Sequence, residues 1–246
     1  MISTVCALSI GNIELNLVNF RTLNLNRLAT LLKHGERDSL MRVFQYEYFS
    51  ELNLKGEVLD FGGGEAAKYQ FLYELWQQSC SIRTVNISAN DVPDFLLTQE
   101  FEPLPVEDDC FDAAVSLNTL EHVYYIQEWL GELSRVLKPN GKFYFTVPYM
   151  FRTHGHPSDY NRFTPEGWRR RLEEVGFTDV VISALYCGPF SFQKSSFGLI
   201  GPFRFARKKV SYFMDYIYWL IKRQTGSGTI QLKQDEFPAS NALAFY

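Results

Sequence analysis

The densest chemistry in this 246-residue chain is an acidic residue two places before a run of glycines, straight after an apolar stretch: Leu59-Asp60-Phe61-Gly62-Gly63-Gly64-Glu65. Glycines lack a Cβ, so they reach positive φ and let the main chain approach a ligand closely. A helix that follows aims its unpaired N–H groups at whatever sits above the strand. The carboxylate of Asp60 narrows the ligand class. A dinucleotide site presents N–H groups to a pyrophosphate, beside which a carboxylate is unfavourable, whereas a cofactor carrying an amino acid or a sulfonium tolerates it or benefits from it. The stretch also fits the loose dinucleotide pattern Gly62-x-Gly64-x-x-Ala67, which taken alone is weak evidence.

A second concentration lies at Tyr149 to Phe163, reading YMFRTHGHPSDYNRF, where His154, His156, Asp159, Tyr160 and Arg162 crowd together. A histidine, or a His–Asp pair, is the expected base if a hydroxyl must lose its proton. Asp159 and Arg162 are also spaced to pair with each other. Two histidines and one aspartate could ligate a metal, but His-x-His on a loop without a supporting carboxylate pattern does not specify a site, and none is expected. The segment Ser116-Leu117-Asn118-Thr119-Leu120-Glu121-His122-Val123 adds a third histidine, whose ordinary role is a hydrogen-bonded structural one.

These residues need elements to hold them. Apolar residues at Leu40, Phe44, Tyr48 and Leu52 give one helical stripe over Glu36 to Leu52, leading into a strand at Glu57 to Phe61. A helix over Glu65 to Gln78, a strand over Ile82 to Ile87 and a buried strand over Phe111 to Leu117 follow. A stripe of Ile126, Leu130, Leu133 and Leu137 makes the next helix, and Pro139-Asn140-Gly141 turns the chain into a strand over Lys142 to Val147. Thr164-Pro165 starts a helix with Trp168, Leu172 and Val175 inward, Thr178 to Tyr186 reads as a strand, and Ser240 to Tyr246 suits a last one. Alternating strands and helices predict an α/β fold, a doubly wound and mostly parallel sheet that binds ligands at the carboxyl ends of its strands.

With 46% hydrophobic and 16% aromatic residues, the chain suffices for one large core, and a net charge of -4 argues against a nucleic-acid partner. Four cysteines, Cys6, Cys80, Cys110 and Cys187, show neither CxxC nor Cys/His spacing, so a reducing cytoplasm is expected. No secretory leader and no membrane-spanning run is apparent.

Asp60/Gly62/Gly64, Leu104-Pro105, Leu120-Glu121-His122-Val123 and Leu137-Lys138-Pro139-Asn140-Gly141 occur in an order and spacing that resemble the class I S-adenosylmethionine-dependent methyltransferases. Ala66 stands where that family usually has its third glycine. The resemblance implies a Rossmann-like, seven-stranded sheet with an antiparallel edge hairpin. It divides the chain into an N-terminal helical lead-in over 1–54 and a methyltransferase domain over 55–246, with an insertion at 188–239 between the last two strands. It places S-adenosyl-L-methionine against Asp60, Gly62 and Gly64. Asn86 would meet the ribose where the family usually has an acid, with loss of charge-assisted strength. Glu100, with Glu102 as a nearby substitute, would read the adenine amino group, Asn118 would contact the cofactor, and His122 would face or seal the reaction cavity. Catalytic work falls to His154, His156 and Asp159, with His122 next.

The expected reaction is methyl transfer, O-methylation first, to a small-molecule, sugar or lipid-linked acceptor. A noncatalytic cofactor-binding protein and a nicotinamide-dependent oxidoreductase are the alternatives. Within the insertion, residues 203 to 223 combine Arg204, Arg207, Lys208 and Lys209 with Val210, Phe213, Met214, Ile217, Leu220 and Ile221 at helical spacing. Such a helix suits packing on its own domain, a homodimer, or peripheral contact with a membrane.

Overall fold

The computed structural model describes residues 17–33, 39–64, 69–155, 157–197, 202–222, 226, 228–233, 236 and 244–245. The first element is a strand, β1 (Leu17–Arg21), with Val18 and Phe20 buried in alternation. Two helices follow, α1 (Leu25–Lys33) and α2 (Leu40–Phe49). Ser39 caps α2 by accepting the N–H of Arg42 at 3.2 Å. The buried Arg27 guanidinium forks onto Glu47 at 2.7 and 3.1 Å and tethers α1 to α2. The lead-in expected to be helical thus holds a strand as well.

Next come β2 (Gly56–Phe61), α3 (Gln70–Trp76), β3 (Cys80–Asn86), β4 (Phe95–Leu96) and β5 (Phe111–Leu117). The helix expected from Glu65 is described only from Gln70; residues 65–68, with Ala66, lie outside the described residues. After β5 come α4 (Ile126–Val136), β6 (Leu137–Pro148), α5 (Pro165–Glu174) and β7 (Ser183–Leu185). Thr164 caps α5 through the N–H of Gly167, with Pro165 in the first turn where its missing N–H costs nothing. The Pro139-Asn140-Gly141 turn is absorbed into β6 as a bulge: Phe111 faces Leu137 but Ala113 already faces Lys142, and Asn140 has φ 66°. The chain continues through α6 (Pro189–Phe197), α7 (Arg204–Ile221), β8 (Thr229–Lys233) and β9 (Ala244–Phe245).

The strands form one sheet in the order β4-β3-β2-β5-β6-β9-β7-β1-β8. The stretch from β4 to β6 is parallel throughout, and β9 runs antiparallel between β6 and β7. The sheet is doubly wound as expected, but among the described residues it has nine strands rather than seven. The additions sit at one edge, where β1 runs parallel to β7 and antiparallel to β8. Side chains alternate faces. Val58 and Val115 pack with Phe44, Phe49, Leu72 and Trp76 under the helices of one side, while Leu59 and Ala114 pack with Trp129, Leu133, Trp168 and Leu172 under α4 and α5 on the other.

α7 docks on the domain through Tyr212, Asp215 and Trp219. The carboxylate of Asp215 accepts the N–H groups of Phe190 and Ser191 at 2.7 and 3.0 Å, capping α6, and Trp219 Nε1 donates to the Cys187 carbonyl at 2.7 Å. At 100° per residue, Val210, Phe213, Met214, Leu220 and Ile221 fall on the opposite face and are exposed. Among the described residues, no helix is long and apolar enough to cross a membrane.

Candidate active site

A cavity of about 810 Å³ opens at the carboxyl ends of β2, β3 and β5. Its wall begins at the tip of β2, where Asp60 is 3% exposed and accepts a hydrogen bond from the Tyr73 hydroxyl on α3. Burial pushes the Asp60 carboxyl up to about 6, and the Tyr73 bond opposes that rise. The turn that follows is held by close packing. Gly62 has φ 92°, and a Cβ there would lie 2.0 Å from Thr119 Oγ1; at Gly63 a Cβ would lie 2.4 Å from the Asp60 carboxyl carbon. Only glycine meets both demands.

Asn86 at the tip of β3 fastens that turn. Its Nδ2 donates to the carbonyls of Gly62 and Gly63 at 3.3 and 3.1 Å, and its Oδ1 accepts the Ser88 N–H at 3.1 Å. Asn118, at the tip of β5 with φ 53°, accepts a bond from Thr146 Oγ1 at 3.3 Å. Thr146 in turn receives the amide of fully buried Gln45 at 2.8 Å, and Gln45 accepts the Tyr69 hydroxyl at 3.4 Å. Through Gln45, α2 reaches the site, so the lead-in supports the cavity rather than merely preceding it.

His122 and His154 line the remaining wall, with Glu121 buried beside them. Glu121 Oε1 lies 3.6 Å from His122 Nε2 and 3.8 Å from His154 Nε2, and the two imidazoles meet edge to face with centroids 5.1 Å apart. Glu121 is fully buried and neither carboxylate oxygen has a hydrogen-bond partner, so burial pushes it up to about 8. His122 Nδ1 meets the Ser158 carbonyl. Asp159 is gripped by Arg162 at 2.5 and 2.6 Å and accepts the His154 N–H at 2.9 Å, its Oδ2 lying 3.4 Å from His154 Nδ1. Burial alone would raise Asp159, but the Arg162 bonds outweigh it and hold the carboxyl below its ordinary range.

Residues 59–145 match a family model described as a methyltransferase domain. Over those residues the chain is similar to methyltransferase domains of class I. Its cofactor is S-adenosylmethionine. The residues present suit that molecule: a buried carboxylate and a glycine turn with no room for side chains border a cavity large enough for an adenosyl group joined to an amino acid. No curated protein matches the sequence. Several solved structures are similar to the chain. The [4+2]-cyclase SpnF is 16% identical with a TM-score of 0.50 over 84% of this chain and 91% of its own. The chain bound to the Trm112 methyltransferase activator in a Haloferax volcanii complex is 17% identical with a TM-score of 0.49, over 76% and 86%. Haemonchus contortus phosphoethanolamine N-methyltransferase 2, bound to S-adenosyl-L-methionine, is 13% identical with a TM-score of 0.48, over 89% and 56%. The likeness to SpnF speaks to the fold alone, and because that protein is a cyclase the fold does not name the reaction.

Asp60, Gly62, Gly64, Asn86, Glu100, Asn118 and His122 all line the one cavity, as does His154 from the loop after β6. His156 lies outside the described residues. Asp159 supports His154 from behind. Glu102 accepts the Thr98 N–H and hydroxyl instead of standing in for Glu100. Sequence reasoning missed Glu121, Tyr73, Tyr69, Asp91 and Thr119. A buried acid and a helical tyrosine carry no local mark, although Glu121 sits inside a motif that was singled out.

Proposed function

We propose that the protein methylates a hydroxyl oxygen of a small-molecule, sugar or lipid-linked acceptor. The observation that carries this reading is that His122 and His154 line the cavity that the glycine turn also borders, with the buried Glu121 carboxylate 3.6 and 3.8 Å from their Nε2 atoms. When bound, the cofactor offers a methyl group on a sulfonium, so that a C–O bond forms as the C–S bond breaks with its electron pair left on sulfur. Asp60 balances the cationic amino-acid half, the Gly62–Gly64 turn admits it, Asn86 and Asp91 face the ribose, and Glu100 with Asn118 completes the cradle. The cluster of Glu121, His122 and His154 holds the acceptor hydroxyl and takes its proton, a contribution of about a hundredfold to ten-thousandfold. Asp159 keeps His154 oriented, and Arg162 keeps Asp159 ionised. Most of the remaining acceleration is alignment of the reacting atoms.

The test is release of S-adenosylhomocysteine over a panel of hydroxylated small molecules, glycans and lipid-linked sugars. His154→Ala should lower turnover by about a hundredfold or more while leaving cofactor affinity nearly unchanged. Wild-type turnover in His154→Ala would remove the cluster from the reaction. No binding of S-adenosylhomocysteine to the wild type would remove the reaction itself.

The outward apolar face of α7, flanked by Arg204, Arg207, Lys209 and Lys222, is the surface we assign to contact with a second subunit or with an anionic membrane. It supports this reading that the helix packs on its own domain through the other face.

A further inference from the structure

We propose that Glu121, His122 and His154 bind one divalent metal ion of the zinc type, through one carboxylate oxygen and two Nε2 atoms, with the remaining position open to the cavity. The three donor atoms lie within 4.8 Å of one another. Around a tetrahedral zinc ion with bonds of about 2.0–2.1 Å, neighbouring ligand atoms stand about 3.3–3.4 Å apart. The observed 3.6 and 3.8 Å separations from Glu121 Oε1 are therefore a few tenths of an ångström from that geometry.

The surroundings orient the ligands. His122 Nδ1 donates to the Ser158 carbonyl, which turns the Nε2 lone pair toward Glu121. His154 Nδ1 lies 3.2 Å from the Arg152 carbonyl and 3.4 Å from Asp159 Oδ2, both nearer than Arg162 at 3.5 Å. That ring therefore donates through Nδ1 and presents Nε2 to the cluster. A carboxylate or carbonyl behind each ligating histidine is the arrangement that fixes tautomers in metal sites. Glu121 supplies an independent sign: it is fully buried with both oxygens lacking a hydrogen-bond partner, a condition a bound cation would satisfy. Three protein ligands with an open fourth position make a reactive metal site rather than a closed structural one. The inference rests on the proposed reaction only for the fourth ligand, the acceptor oxygen; with both Nε2 atoms on the ion, the ion's charge takes over from the histidine base by lowering the hydroxyl's pKa so that its proton leaves to solvent.

The experiment uses untagged full-length protein, stripped with chelator and titrated with Zn²⁺ and with Co²⁺. The wild type should take up one ion per chain and show the visible absorption of low-coordinate Co²⁺. Glu121→Gln and His154→Ala should abolish that absorption and weaken Zn²⁺ binding by at least about a hundredfold, and Asp159→Asn, which touches no ion, should weaken it about tenfold to a hundredfold. Circular dichroism checks the fold of each, and Asp159→Asn keeps the test decisive if a ligand variant fails to fold. The proposal is overturned if the wild type takes up no stoichiometric ion or if the variants bind as tightly as it does. Titration with S-adenosylhomocysteine in the same preparations separates the two readings. Cofactor binding without metal uptake removes only the metal site, and metal uptake without methyl transfer removes only the reaction.

Discussion

Replacing Tyr73 by Phe should shift the pH at which the cofactor binds. Asp60 is 3% exposed, and burial holds its carboxyl at about 6 against the pull of the Tyr73 hydroxyl. A hydrogen bond to a charged group contributes about 1.5–3 kcal/mol net. At about 1.36 kcal/mol per pH unit, losing it moves the titration roughly one to two pH units higher. At pH 7 the ionised fraction of Asp60 then falls from roughly nine-tenths to between about a half and a tenth. If the ionised carboxylate is what the cationic end of the cofactor needs, affinity at pH 7 falls by about twofold to ninefold. Isothermal titration with S-adenosylhomocysteine between pH 5 and 8.5 reads this directly. Wild-type affinity should weaken as pH drops through about 6, and in Tyr73→Phe the weakening should begin one to two pH units higher. Superimposed profiles would show that Asp60 does not act through its charge. Stability has the opposite sign. An acid raised on folding from 3.8 to about 6 stabilises the fold fully below 3.8, and that contribution is lost as pH climbs through 6. The ligand-free protein should therefore lose on the order of 3 kcal/mol between about pH 4 and pH 7 from this group, seen as a falling melting temperature.

Gly62→Ala should fold but bind S-adenosylhomocysteine at least tenfold more weakly, because positive φ costs an alanine about 1–2 kcal/mol and its Cβ would collide with Thr119; unchanged affinity would clear the turn of any role. Its Cβ points at Thr119 rather than into the ligand's space, so the effect runs through the turn. Asn86→Asp should weaken binding by tenfold or more, about 1.4 kcal/mol. Ribose pairing considered alone makes that change neutral or favourable, so equal or tighter binding in calorimetry would restore that simpler view. For α7, light scattering should show a dimer, or vesicle sedimentation should show binding to anionic liposomes that fades as salt rises from 0.1 to about 1 M. A monomer that ignores such vesicles at low salt would leave the outward face without a partner.

What the sequence made legible was local. The strand into Asp60, the glycine turn, the capped α5 and the alternation of strand and helix all follow from spacing within a few residues. What stayed hidden was set by distance. β1 pairs with β8 across more than two hundred residues, and five short-range positions of LVNFR do not announce an edge strand. The docking face of α7 was hidden for a different reason. Hydrophobic spacing favours burying Val210, Phe213 and Met214, yet the helix docks through Tyr212, Asp215 and Trp219, and the polar atoms of the last two are satisfied by partners brought from elsewhere: the Phe190 and Ser191 N–H groups for Asp215, the Cys187 carbonyl for Trp219.

Asn86 shows how a departure from a family pattern acquires a physical cause. The amide stands where an acid is usual, and its NH₂ group donates to the carbonyls of Gly62 and Gly63 while lying 3.5 Å from Asp91. A carboxylate there would confront two carbonyl oxygens and a neighbouring acid, with the buried Asp60 close by at the tip of β2. The turn would lose its fastening and the wall would gain a charge it cannot solvate. The amide keeps the glycine turn fastened, and on the proposed reading it does so at the expense of a stronger grip on a ribose hydroxyl. At this position the support of the turn outweighs the direct contact.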